Sequence, residues 1–379
     1  MSFTRQTMAE SEAIPQLDLA AQYAAIGGEI RKAVMRVLSS QHFVLGNEGL
    51  ALEHEIAELC GVTHGVGVAS GTDALILSLR AAGVGAGDEV ILPPFTFVAT
   101  GSAVSALGAK PLFADIAPDT FNISAEQIAR KITPRTRAIL VVHLYGLAAD
   151  MDPIRAAAKS HAIPVVEDNA QAIGATYKGL PTGALSDLAC ISFYPTKNLG
   201  AYGDAGMIVT NSAEMDARLR TLRNHGQSSR YNSVEPGWNS RLDELQAAIL
   251  RVKLRYLRQW EQARRNHAAE YSRLLAPISS VKTPVTPDGY DHVFHQYTIR
   301  AQRRDELQKF LSERKIGNAV YYPVPLHLQP IYTSLGEGLG SYPESERAAN
   351  EVLSLPMFPE LQPQQIQRIA AALAEFYET

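Results

Sequence analysis

Seven short apolar runs alternate with longer helical stretches between residues 65 and 211, and this alternation constrains the fold more than any other feature of the chain. The runs are rich in Val, Ile and Leu, with too little apolar–polar alternation for strands that have one exposed face. They cover residues 65–70, 89–93, 110–116, 138–145, 164–167, 188–194 and 206–210, with helical stretches such as 73–82, 124–131 and 152–160 between them. Strands that alternate with helices predict an α/β fold, with a mostly parallel seven-stranded sheet flanked by helices.

The pattern changes after Asn211, where helical periodicity dominates. Helices are predicted over 213–223 and 242–274, and a C-terminal unit begins near Pro277. That unit contains an alternating strand at 293–300, a helix at 304–314, a proline-rich loop at 321–330 and a closing helix at 363–377. We therefore predict a disordered tail over 1–15, a large α/β domain with an N-terminal helical segment over 16–260, and a linking helix with a small α+β domain over 261–379.

Composition excludes several classes of protein. The 379 residues are 46% hydrophobic and 20% charged, with a formal net charge of -4, so we expect no nucleic-acid partner. Cys60 and Cys190 lack metal-site or disulfide-framework spacing, which predicts no metal site and fits a reducing cytoplasm. The first fourteen residues are polar and acidic, and no run approaches the roughly 20 apolar residues of a membrane span. We therefore expect no membrane association.

The segment Ser70-Gly71-Thr72 joins a predicted strand directly to a predicted helix. Free N–H groups at a helix start attract anions, and a glycine lets a phosphate approach closely. For this segment alone, an ordinary capped helix start is an equally good interpretation. Gly65, Gly67 and Gly71 also resemble a loose dinucleotide-binding pattern, but their spacing and their position inside the strand argue against a nicotinamide cofactor.

Asp168 and Lys197 each follow a predicted strand, where open α/β sheets place their ligands. A carboxylate there can pair with a protonated pyridine nitrogen, and a desolvated lysine can form a Schiff base with pyridoxal phosphate (PLP). Taken singly, Asp168 is more readily a cap or turn residue, and most lysines are surface charges. The chain contains the phosphate turn, Asp168 and Lys197 in that order, and the Ser192 hydroxyl is close to the lysine in sequence. This combination is more specific than any one of its members, and it predicts a cofactor site.

Four motifs resemble the fold-type I, PLP-dependent nucleotide-sugar aminotransferases of the DegT/DnrJ/StrS family, in the aspartate aminotransferase superfamily. They are Asp168-x-Ala170-Gln171, Ser192-x-Tyr194-x-x-Lys197-x-Leu199-Gly200, Gly203-Asp204-x-Gly206 and Gly237-x-Asn239-x-Arg241. The resemblance extends over nearly the whole chain. It implies that Lys197 forms the Schiff base and acts as general acid/base, and that Asp168 pairs with the pyridine nitrogen.

The resemblance implies roles for further residues of the cofactor site. Gln171 would lie near the phenolate oxygen of the ring, and Phe97 would stack on the ring. Gly71, Thr72 and Ser192 would hold the phosphate. Asn239 would reach the phosphate of a neighbouring subunit, which implies a homodimer with shared active sites.

The implied reaction is transamination of a nucleotide-linked keto sugar, with L-glutamate as amino donor and pyridoxamine phosphate as the intermediate cofactor form. Segments 225–231, 239–243, 295–298 and 321–327 are similar to members that aminate C3, and a 4-keto-6-deoxy sugar is the alternative. A non-catalytic regulatory relative is a further alternative, against which the intact Lys197, Asp168 and Gln171 argue. One branch of the family has histidine in place of the lysine and dehydrates its substrate.

Four residues are candidates for contact with the sugar nucleotide. Arg230 and Arg241 suit a diphosphate or a sugar carboxylate, because a guanidinium binds either in bidentate fashion. Tyr322 and His327 can donate hydrogen bonds to or accept them from sugar hydroxyls. His327 is equally well a loop histidine packed against prolines, and His295 is more readily a strand histidine at the domain interface than a ligand contact.

Overall fold

The structure is a computed structural model that describes residues 13–378. Its helices are α1 (Leu19–Ser40), α2 (Asn47–Leu59), α3 (Gly71–Ala81), α4 (Val98–Ala106), α5 (Ala125–Lys131), α6 (Met151–Ser160), α7 (Ala213–Leu222), α8 (Glu244–Leu254), α9 (Leu257–Leu275), α10 (Arg304–Glu313), α11 (Pro343–Glu351) and α12 (Pro363–Glu378). Its strands are β1 (His64–Val68), β2 (Glu89–Leu92), β3 (Lys110–Phe113), β4 (Thr136–Val142), β5 (Val165–Asp168), β6 (Thr176–Tyr177), β7 (Leu180–Pro181), β8 (Leu188–Ser192), β9 (Gly206–Thr210), β10 (Gln227–Ser229), β11 (Asn232–Ser233), β12 (Val281–Lys282), β13 (Tyr290–Asp291), β14 (Tyr297–Ala301) and β15 (Val352–Leu355).

All seven strands predicted between residues 65 and 211 lie in one sheet, in the order β1-β9-β8-β5-β4-β2-β3. Pairing is parallel from β8 across to β3, whereas β9 runs antiparallel to both of its neighbours. Strands β5 and β9 are buried at every position, since helices cover both faces of the sheet. The predicted fold class, a mostly parallel sheet with flanking helices, is confirmed.

Several predicted boundaries are wrong by a few residues. The first predicted run continues to residue 70 and the sixth to residue 194, whereas β1 ends at Val68 and β8 at Ser192. In both places the backbone leaves the sheet to form a turn. The single helix predicted over 242–274 is two helices, α8 and α9, separated at Arg255 and Tyr256, where the Tyr256 N–H bonds to the Lys253 carbonyl in a tighter turn.

The predicted N-terminal tail is partly corrected. Residues 1–12 lie outside the described residues. Ile14, by contrast, is only 2% exposed, and its N–H donates to the carbonyl of Lys315 at 2.9 Å. It also pairs with Ile316 in an isolated bridge, so the chain is packed against the C-terminal unit before residue 16.

The C-terminal unit has its own antiparallel sheet, in the order β12-β14-β15. Tyr271 and Leu275 of α9 pack in a core with residues of this sheet and of α12, whereas Trp260 at the start of α9 packs against α1 and α8. The domain boundary at residues 260 and 261 stays a prediction. No helix within residues 13–378 is long and apolar enough to cross a membrane.

Candidate active site

A cavity of about 510 Å³ lies at the carboxyl ends of β4, β5 and β8. Residues 295–296 and 321–322 of the C-terminal unit form part of its wall. Among the predicted site residues, those that line this cavity are Gly71, Thr72, Phe97, Asp168, Gln171, Ser192, Lys197 and Tyr322. The fold therefore brings together side chains from five separate segments of the sequence.

The phosphate turn is closely packed against the end of β8. Ser70 caps α3, and its hydroxyl accepts a hydrogen bond from the Asp73 N–H at 3.0 Å. A Cβ atom on Gly71 would lie 2.6 Å from the Cβ of Ser192, so only glycine fits at the start of this helix. The N–H groups of the first helical turn have no partner within the helix, which makes this corner of the cavity a place for an anion.

Asp168 ends β5 and is 5% exposed. Its Oδ2 accepts a hydrogen bond from the Thr100 hydroxyl at 2.9 Å, and its Oδ1 accepts one from the Ala170 N–H at 3.2 Å. Burial raises the pKa of Asp168, although both hydrogen bonds and the nearby Lys197 favour the charged form. The carboxylate is therefore held in place by its neighbours, in surroundings that favour a positively charged partner.

Lys197 lies in a compact turn that follows β8. Its N–H donates to the Tyr194 carbonyl at 2.8 Å, and the buried Lys253 amine donates to the Gly200 carbonyl at 2.6 Å. Burial lowers the pKa of Lys197 to about 8, and Asp168 opposes this shift only in part. The Lys197 amine therefore loses its proton far more readily than an ordinary lysine, so a larger fraction of it is neutral near pH 7 and able to attack a carbonyl or accept a proton.

Gln171, Tyr322 and Phe97 line the cavity beside these two charges. The Gln171 side chain accepts from the Tyr145 N–H at 2.7 Å and donates to the Tyr322 hydroxyl at 3.0 Å, so its orientation is fixed from both ends. Phe97 is 53% exposed, and its ring centroid lies 6.0 Å from that of Tyr322. An aromatic face left open in a cavity is suited to stacking on a planar ligand.

His295 lines the cavity, although the sequence favoured a histidine at the domain interface over a ligand contact. The position at the interface of the two units is seen in the structure, because the residue comes from the C-terminal unit and its Nδ1 lies 3.2 Å from the Asn198 Oδ1. Burial, helped by Lys197, lowers the pKa of His295 well below its usual value, so the ring is neutral.

Thr100 was not predicted, because α4 is a run of small residues with no local sign of a site. Asp204 also lines the cavity. It belongs to the motif at 203–206, but no role was predicted for it from the sequence.

The remaining predicted site residues do not line this cavity. Arg230 is exposed in the β10–β11 hairpin and stacks on Tyr231, with the guanidinium carbon 5.0 Å from the ring centroid. Arg241 donates to the Asn224 Oδ1 at 3.3 Å, and Asn239 is exposed. The roles predicted for these three residues stay predictions.

His327 is corrected from a sugar contact to a packed loop histidine. It is 1% exposed, and its Nε2 lies 3.1 Å from the Glu346 Oε1. Glu346 also accepts hydrogen bonds from the N–H groups of Gly340 and Tyr342. The histidine therefore fixes a loop of the C-terminal unit.

Comparison with known proteins gives matches over nearly the whole chain. The sequence profile of the DegT/DnrJ/EryC1/StrS aminotransferase family matches residues 24–374. A pleiotropic regulatory protein of Geobacillus stearothermophilus is 52% identical over 366 residues, which is 96% of this chain and 98% of the relative. A UDP-N-acetyl-3-dehydro-alpha-D-glucosamine 3-aminotransferase of Acidithiobacillus ferrooxidans is 48% identical over 366 residues, 97% of this chain and 98% of the relative.

The structural comparison agrees with the sequence comparison. The crystal structure of Streptomyces venezuelae DesV in complex with a ketimine intermediate superimposes with a TM-score of 0.96 at 46% sequence identity. The match covers 97% of this chain and 100% of DesV.

Proposed function

The chain belongs to the DegT/DnrJ/EryC1/StrS aminotransferase family, and we propose that it is a PLP-dependent enzyme that converts a nucleotide-linked 3-keto sugar into an amino sugar. L-Glutamate is the proposed amino donor. The observation that carries this proposal is the meeting of Lys197, Asp168 and the Gly71 turn in one cavity. An amine, a carboxylate and an anion-binding helix start are the three groups that PLP needs around it.

The residues of the cavity fit PLP on the evidence of their packing and chemistry. The space that a Cβ on Gly71 would fill against Ser192 is left open beside a helix start, which suits a phosphate. Lys197 and Asp168 form no ion pair among residues 13–378, so both charges are available to a ligand. Phe97 offers its exposed ring for stacking on the pyridine.

PLP, when bound, supplies an electrophilic carbonyl and a pyridine ring that accepts electrons. Lys197 would hold the cofactor through its amine, whose lowered pKa makes the neutral form accessible. Once the amino donor has displaced it, the freed Lys197 amine would take the proton from Cα of the donor as general base and deliver it to the cofactor as general acid. Asp168, held by Thr100, would keep a proton on the pyridine nitrogen, and Gln171 would face the phenolate oxygen.

Amination at C3 is favoured over amination at C4 by the name of the Acidithiobacillus relative, a 3-aminotransferase. A panel of nucleotide-linked 3-keto and 4-keto sugars, each incubated with the holoenzyme and L-glutamate, tests this proposal. We expect amino sugar and 2-oxoglutarate from the 3-keto substrates, identified by mass and NMR. Turnover confined to 4-keto-6-deoxy sugars would contradict the assignment of C3.

A purely regulatory role is the rival proposal, prompted by the name of the Geobacillus relative. Lys197, Asp168 and Gln171 all line one cavity, with the polar contacts that transamination needs, which supports catalysis. A protein that binds PLP but leaves glutamate unconverted would favour the regulatory role.

We also propose that the protein is a homodimer in which Asn239 of each subunit completes the cofactor site of the other. Asn239 is exposed and does not line the cavity of its own chain. The neighbouring hairpin also exposes apolar surface, with Tyr231 84% and Val234 61% exposed. A second subunit that covers this surface would remove it from water.

A further inference from the structure

A second cavity of about 480 Å³ adjoins the candidate active site. The two cavities share Thr196, His295, Gln296 and Tyr321, which therefore form a common wall. Beyond that wall the second cavity is bounded by Gln16 from the N-terminal segment and by Arg264 from α9. The roles proposed above for cofactor and sugar use neither Gln16 nor Arg264.

Arg264 is a buried cation whose charge is incompletely matched. It is 4% exposed, and its Nη1 donates to the carbonyls of Phe294 at 3.1 Å and Met357 at 2.9 Å. Its Nε is buried and has no hydrogen-bond partner among residues 13–378. No carboxylate in that part of the chain forms an ion pair with the guanidinium, and burial lowers the pKa of Arg264 to about 10.

One end of the Arg264 guanidinium is left for a ligand. Nη1 is used by backbone carbonyls and Nε is enclosed by protein, whereas Nη2 forms no hydrogen bond among residues 13–378 and can donate to a carboxylate at the cavity wall. Glu261 and Glu360 lie near enough to favour the charged form of Arg264, although burial raises the pKa of both carboxyl groups, that of Glu261 to about 7. Neither carboxylate forms an ion pair with the guanidinium among residues 13–378.

The other walls suit a short amino-acid side chain. Leu17 and Met357 provide apolar surface for methylene groups. Gln16, whose Nε2 donates to the Leu355 carbonyl at 3.2 Å, closes another side of the cavity. Apolar walls with a few polar groups are typical of small-molecule sites.

We propose that the second cavity binds the side-chain carboxylate of the amino donor L-glutamate, with the Arg264 guanidinium as its cationic partner. This inference rests on the proposed aminotransferase function. The α-carboxylate is attached to the reacting carbon, which must lie beside Lys197. Only the far end of the donor side chain can extend past Thr196 and His295 into the second cavity.

The test compares L-glutamate with L-glutamine, its neutral isostere, in single-turnover reactions of the PLP-loaded protein. We expect the wild type to bind glutamate more tightly than glutamine, and Arg264→Gln to weaken glutamate binding by about tenfold or more while glutamine binding changes little. Calorimetry with glutarate, which has no amine and cannot react, gives a second measurement that is independent of turnover. In Arg264→Gln, the affinity for glutarate should fall together with the affinity for glutamate.

A second variant keeps the proposal falsifiable if Arg264→Gln is unstable, and a third is the control. Gln16→Glu places a competing carboxylate in the same cavity while Arg264 keeps its backbone contacts, and it should also weaken glutamate and glutarate binding. Arg273→Gln removes an exposed arginine, whose side chain is 66% exposed, from the same helix and should behave as the wild type.

The outcomes separate failure of this inference from failure of the proposed function. Unchanged glutamate affinity in a folded Arg264→Gln or Gln16→Glu variant would overturn the inference, as would equal losses with glutamate and glutamine. A wild-type protein that binds PLP but reacts with neither amino acid would instead overturn the proposed function.

Discussion

Asp168 and Lys197 line the same cavity and influence each other's pKa, yet their side chains form no ion pair within the described residues. Two opposite charges at the edge of one sheet would stabilise each other most at contact distance. Because the two side chains are not paired with each other, the carboxylate and the amine can each contact a ligand in the cavity. This arrangement is the structural basis of the proposed PLP chemistry.

Lys197→Met should stabilise the cofactor-free protein at pH 7, by about 1–3 kcal/mol. The pKa of Lys197 is about 8 in the folded protein and 10.5 ordinarily, so below pH 8 folding places an unfavourable charge in the cavity. Between pH 8 and 10.5 the unfolded wild type binds more protons than the folded one, and wild-type stability therefore rises with pH. Urea unfolding across this range should show the advantage of Lys197→Met shrinking. Exposed Lys159→Met is the control, and an advantage independent of pH would contradict the assignment.

Thr100→Val should move the acid limb of the pH–rate profile to higher pH, by about half a unit to one unit. The Thr100 hydroxyl donates a hydrogen bond to Asp168 and favours the charged carboxylate. Loss of this bond should therefore raise the pKa of Asp168 above the value to which burial already raises it. Asp168 must be ionised to hold a proton on the pyridine nitrogen. Asp168→Asn should lower the rate about a hundredfold or more at every pH. An unmoved acid limb in Thr100→Val would show that another group controls it.

Gly71→Ala should weaken PLP binding by about tenfold or more, because its Cβ would lie 2.6 Å from the Ser192 Cβ and would displace the phosphate turn. Gly28→Ala in α1 is the matched control, since a Cβ there would meet no atom within 4 Å. That change should stabilise the protein by about 0.5–1 kcal/mol and leave PLP affinity unchanged. Equal PLP affinity in both variants, measured by titration of the cofactor-free protein, would place the phosphate elsewhere.

Mixing two inactive variants tests the shared site. Lys197→Ala and Asn239→Ala subunits, refolded or exchanged together, should form hybrid dimers in which one site has both native residues. We expect about a quarter of wild-type activity from an equal mixture, because half of the dimers are hybrids with one intact site each. No recovery, in a mixture that forms hybrid dimers by mass spectrometry, would mean that each subunit builds its site alone.

The sequence predicted those parts of the fold and site whose signals are local. The seven strands were identifiable because burial on both faces leaves nearly unbroken apolar runs, and Gly71, Asp168 and Lys197 because each follows one of those runs. The antiparallel direction of β9 leaves no such trace. The break between α8 and α9 contains neither proline nor glycine.

Residues whose roles depend on distant segments were harder to predict. Thr100 reaches Asp168 from a helix 68 residues earlier in the chain. His327 belongs to a motif that resembles a sugar contact, but Glu346 holds it inside a loop. Neither contact can be inferred from spacing, because each depends on how two segments meet in the folded protein.

The visible spectrum of the PLP-loaded protein during titration with L-glutamate tests the role of Lys197 most directly. The wild type should show an imine band that disappears with glutamate and returns when the keto sugar is added. Lys197→Ala should lack this band and lose turnover, while exposed Lys159→Ala behaves as the wild type. Turnover of Lys197→Ala at close to the wild-type rate, or a wild-type protein that cannot be loaded with PLP, would contradict the assignment.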